Sequence, residues 1–64
     1  MSGAFAEVVM YFGKYKDRVV AAVPNSYLNY LLGQDWFEED HPVLFEAVQD
    51  EVVWRREQGV HVED

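Results

Sequence analysis

The sequence predicts an α+β fold: a short two-stranded β-hairpin packed on two α-helices, with the C-terminal helix the longer. Three observations predict it. Residues 5–12, Phe-Ala-Glu-Val-Val-Met-Tyr-Phe, and residues 19–23, Val-Val-Ala-Ala-Val, are β-branched and aromatic runs separated by a polar break that begins at Gly13. Pro24 opens an apolar stretch that Gly33 closes. Pro42 opens a longer stretch, closed by Gly59, whose apolar residues recur at helical spacing.

In the first strand, Ala6, Val8, Met10 and Phe12 would share one face and Phe5, Glu7, Val9 and Tyr11 the other. Gly13 can take a positive φ at the turn. The first helix is expected to be capped by Asn25 or Ser26, because a short side-chain oxygen satisfies a free amide in the first turn. Tyr27, Leu28, Tyr30, Leu31 and Leu32 follow, with Asn29 facing away. Asp35 to Glu39 reads as an acidic loop carrying Trp36 and Phe37. Asp40 is the expected cap of the last helix, Pro42 fits its first turn, and the helix should run to about Gln58. Leu44, Phe45, Val48 and Val52 form one apolar stripe on it, and Val43, Ala47 and Trp54 a second ridge. Glu46, Gln49, Asp50 and Glu57 take the wet side, with Val53 among them. Arg55 and Arg56 suit the negative end of the helix dipole. The tail from Val60 to Asp64 is expected to fray.

A chain of 64 residues makes at most one domain, with an ordered core expected over about residues 5–58. Half its residues are hydrophobic and 16% aromatic, too apolar for a disordered chain despite a net charge of −7. The absence of cysteine removes disulfides and thiolate metal sites, and fits a reducing cytoplasm. The longest purely apolar runs, Val8–Phe12 and Val19–Val23, hold five residues, whereas a membrane-spanning helix needs about 20. Met-Ser-Gly-Ala at the start lacks the basic region of a signal peptide. No membrane association is expected.

Charge divides the chain. Residues 1–34 carry Lys14, Lys16 and Arg18 against Glu7 and Asp17, a net of +1, and residues 35–64 carry ten acids against Arg55 and Arg56, a net of −8. An acidic body repels polyanions at long range, which argues against nonspecific coating of duplex DNA. The cations clustered in residues 14–18 can still meet a phosphate locally. With Gly13 permitting close backbone approach, Lys14, Lys16 and Arg18 form a candidate phosphate cradle. Tyr11, Phe12 or Tyr15 could stack on a base. The ordinary alternative is a solvated hairpin turn whose aromatics pack inward.

The acidic half supplies a second candidate, a protein-docking surface of Trp36, Phe37, Glu38, Glu39 and Trp54. Its ordinary alternative is a capped helix start with both aromatics buried. The two ridges of the last helix suggest self-association, a dimer first. Catalysis is not expected. No set of carboxylates converges in sequence as a metal nuclease needs, and His41 and His61 lack metal-ligand spacing. Ser2 and Ser26 have no adjacent histidine, and there is no phosphate-loop pattern. No cofactor is expected.

The run Phe12-Gly13-Lys14-Tyr15-Lys16, then Val23-Pro24, then Tyr27-Leu28, resembles a small bacterial and phage family, the quorum-sensing-regulated virulence factors. Trp36-Phe37, and His41-Pro42 ahead of Leu44-Phe45, extend the resemblance over roughly residues 8–56. The family pattern has glycine where this chain has Asp17, and tryptophan where it has Tyr30. The resemblance implies a β-turn, a short strand ending in proline and a helix beginning Tyr-Leu. The motif is also similar to the domain that follows the catalytic domain in exodeoxyribonuclease X-like proteins. That similarity implies a nucleic-acid or nucleotide setting, with the chemistry in a domain this chain does not contain.

Overall fold

The structure, a computed structural model, describes residues 8–63 and is helical. A 3-10 turn, Val20–Ala22, leads into α1 (Asn25–Leu32), α2 (Asp35–Asp40) and α3 (Pro42–Gln58). Met10, Tyr15, Val20, Val23, Leu28, Leu31, Phe37, Leu44, Ala47 and Val48 form the core.

The expected β-hairpin is absent from the described residues, so the α+β reading is corrected to an all-helical one. Phe5, Ala6 and Glu7 of the first expected strand lie outside the described residues. Beyond them, residues 8–10 and 18–20 do approach antiparallel. Met10 N–H donates to Arg18 O at 2.9 Å and Val20 N–H to Val8 O at 2.8 Å, yet the pairing amounts to one isolated bridge, Val9 with Val19. Two causes end it. Val20–Ala22 winds into a 3-10 turn capped by Val23, which places Val20 and Val23 on one side, both fully buried. In addition, the carbonyls of Val20 and Ala21 accept hydrogen bonds from Arg55, and Val20 O also accepts from Val23 N–H, so both are satisfied without a neighbouring strand. The in–out alternation nevertheless holds along residues 8–12: Met10 is fully buried, Val8 and Phe12 half-buried, and Val9 and Tyr11 exposed.

The helix boundaries follow the proline and glycine signals. Pro24 is the N-cap of α1, and Leu28 and Leu31, three residues apart, are its fully buried anchors. Asn25 does not cap; its side chain is turned to Arg55 and the tail. Asp35–Asp40 forms a helix rather than a loop. At six residues it is too short to persist on propensity, and Phe37, fully buried, anchors it. Asp40 ends α2, and His41 takes the cap position of α3, with Pro42 in its first turn. Gly59 ends α3 at φ +67°, where its N–H and that of Val60 turn back to Arg55 O.

α3 buries Leu44, Ala47, Val48, Glu51 and Arg55, one stripe at three- and four-residue spacing. The expected second ridge does not stand clear of the core: Ala47 is buried within it, Trp54 is half-buried and Val43 is exposed. Arg55 does not sit on the surface at the dipole's negative end. It is 2% exposed, with Nε 2.7 Å from Glu51 Oε2. Its Nη1 donates to Asn25 Oδ1 at 2.6 Å, and its Nη2 to Val20 O and Ala21 O. One guanidinium thus ties α3 to the 3-10 turn and to the start of α1. The tail is pinned to the same point. Asn25 N–H donates to Val62 O at 2.8 Å, Val62 N–H to Asn25 Oδ1 at 3.1 Å, and Asn25 Nδ2 to His61 Nδ1 at 3.1 Å.

Among the described residues, no helix is long and apolar enough to cross a membrane.

Candidate binding site at the basic turn

The loop between Met10 and Arg18 is closed by its own backbone. Asp17 N–H donates to Met10 O at 2.8 Å, and two successive turns follow, Lys16 N–H to Gly13 O and Arg18 N–H to Tyr15 O. Both ends need left-handed backbone: Gly13 has φ +80° and Asp17 φ +73°. At Gly13 glycine is doubly required, because a Cβ there would also collide with the Tyr27 hydroxyl. Asp17 occupies its position under strain, which accounts physically for glycine in the resembled pattern. Asp17→Gly is expected to stabilise the protein by up to about 1 kcal/mol, since a left-handed conformation costs an L-residue roughly 1–2 kcal/mol and aspartate somewhat less. A thermal melt checks this, and a lower midpoint would contradict it.

Within this frame Tyr15 turns inward, 7% exposed, and meets Tyr27 edge-on with centroids 4.8 Å apart. Two of the three candidate cations gather on it: Lys14 Nζ lies 5.4 Å and Arg18 Cζ 5.1 Å from the Tyr15 ring centroid. Lys16 is exposed and makes no such contact among the described residues. Among the described residues Glu51 pairs with Arg55 and Glu63 lies 3.0 Å from the His61 ring, and no carboxylate is paired with Lys14, Lys16 or Arg18.

The aromatic residues expected to stack on a base are used differently. Tyr15 is core. Phe12 is half-buried and stacked on His41, with centroids 4.6 Å apart and planes 16° apart. Tyr11 alone of the three stays largely open, 55% exposed, while its hydroxyl shares a 2.5 Å hydrogen bond with His41 Nδ1. The second candidate surface is only partly assembled. Trp36 is 38% exposed, and Glu38 and Glu39 are exposed, but Phe37 is buried. Trp54 stands twelve residues along α3 from Pro42, about 18 Å at helical rise. Among the described residues, no three acids or histidines gather as a metal site would.

Asn25, His41, Glu51 and Arg55 carry structural roles that composition and charge do not suggest. A signal for the last two was present: extending the Leu44–Val48 stripe by helical spacing runs through positions 51 and 55, where a glutamate and an arginine stand four apart.

A family model described as Putative quorum-sensing-regulated virulence factor matches residues 3–48. The chain belongs to this family. In this quorum-sensing-regulated virulence factor member the match spans the basic turn, α1, α2 and the first turns of α3. It starts and stops earlier than the span of 8–56 suggested by motifs, and Glu51 and Arg55 fall beyond it. The comparisons do not show the likeness to exodeoxyribonuclease X-like proteins. No curated protein and no solved structure matches the chain.

Proposed function

We propose that this family member is a non-catalytic binding module that recognises phosphate groups, of a nucleotide or of single-stranded nucleic acid, through the turn Phe12–Arg18. The observation that carries the reading is the convergence of Lys14 and Arg18 on the Tyr15 ring with no carboxylate paired to either among the described residues. The buried ring limits where the two side chains can go, so less freedom is lost when they grip an anion. The net charge of −7 opposes binding mainly at long range. At physiological salt the screening length is about 8 Å, so acids farther than that from the turn weigh little against cations in contact.

The test is calorimetric titration with a short oligothymidylate and with pyrophosphate. Contacts from three cations predict that oligothymidylate affinity falls roughly 10- to 20-fold between 50 and 200 mM salt. Lys14→Ala/Arg18→Ala should weaken binding of both probes at least tenfold while leaving the melting point near that of the parent, because both side chains are exposed. Binding that ignores salt and this double substitution would refute the reading.

A further inference from the structure

We infer that the outward face of α2, together with Tyr11, docks an arginine-bearing segment of a partner protein. Trp36 and Tyr11 are the exposed members of one aromatic cluster and are joined through Phe12, whose ring centroid is 5.5 Å from Tyr11 and 5.9 Å from Trp36. The cluster is held from behind. His41 stacks on Phe12 and hydrogen-bonds Tyr11, and Phe37 anchors α2 in the core. Two exposed rings fixed by half-buried Phe12 and His41 and by buried Phe37 form a docking surface whose ordering cost is already met by the fold.

Charge identifies the occupant. Glu39 and Asp40 stand three and four residues after Trp36, on the same face of α2, and both are exposed. Among the described residues neither is in an ion pair, and α2 has no basic residue in its last turn. A guanidinium meets both features at once: its plane stacks on an aromatic face while its edge pairs with a carboxylate. An ammonium offers only a point charge. A second copy in a twofold pairing would set this acidic face against itself, so a symmetric dimer does not close here.

This inference uses a surface separate from Lys14, Lys16 and Arg18 and does not rest on the phosphate reading. The test is titration of the full chain, at 150 mM salt, with a short arginine–serine peptide and with its lysine–serine counterpart. The arginine peptide is expected to bind at least tenfold more tightly than the lysine peptide. Trp36→Ala should weaken it at least tenfold. So should Glu39→Gln/Asp40→Asn, which alters exposed positions only and leaves the core intact. Lys14→Ala/Arg18→Ala should not weaken it. Equal binding of the two peptides, an affinity unchanged by Trp36→Ala, or no binding of either would overturn the inference.

Discussion

Arg55→Leu is expected to cost about 3–5 kcal/mol, the usual penalty for stripping one partner from a buried ion pair. A domain of this size holds only about 3–5 kcal/mol in total, so the variant should be largely unfolded at 25 °C. The cost has identifiable parts. Glu51 would keep a buried charge without its counterion, and its Oε1 already has no hydrogen-bond partner among the described residues. The carbonyls of Val20 and Ala21 would lose their Arg55 donor, and Asn25 Oδ1 would keep only Val62 N–H. Glu51→Leu/Arg55→Leu should recover much of the loss, because two apolar side chains of similar reach leave no charge stranded. Urea unfolding of the two variants measures the difference. A loss below about 1 kcal/mol for Arg55→Leu would mean that the guanidinium is not the tie between α3 and the 3-10 turn.

Phe37→Ala should cost about 3–5 kcal/mol, as truncation of a fully buried phenylalanine does. Its ring lies within 6.2 Å, centroid to centroid, of the rings of Phe12, Trp36, His41 and Phe45, so its loss opens a cavity where α2, α3 and the basic turn meet. Trp36→Ala, one residue earlier, should cost far less, because part of that ring already faces water. Comparing the two by urea unfolding separates a core residue from a surface one. Equal costs would contradict the difference in burial between Phe37 and Trp36, which sequence alone leaves together, either both as partner contacts or both buried.

The parts legible in the sequence were those governed by local backbone rules. Pro24, Pro42 and Gly59 mark helix ends because their restrictions act within one turn of chain. Gly13 takes the positive φ that a glycine turn suggested. The hairpin failed because the β preference of Val19–Val23 is a weak local bias. It was overridden by the burial of Val20 and Val23 and by an arginine more than thirty residues away. The α2 segment read as a loop because four acids in six residues hide the one residue, Phe37, that anchors it. The tail reads as frayed from composition, yet a single asparagine, Asn25, holds it through its backbone N–H and its side chain. At the candidate site, Lys14 and Arg18 were visible from spacing, but the inward turn of Tyr15 that brings them together depends on Tyr27, in α1.

Backbone-amide NMR during titration with pyrophosphate bears most directly on whether the basic turn receives an anion. The largest shifts should fall on Gly13, Lys14, Lys16 and Arg18, with Tyr15 following through its ring, and they should vanish in Lys14→Ala/Arg18→Ala. Shifts centred instead on Arg56 and the tail, or no shifts at pyrophosphate concentrations well above those of the protein, would contradict the account.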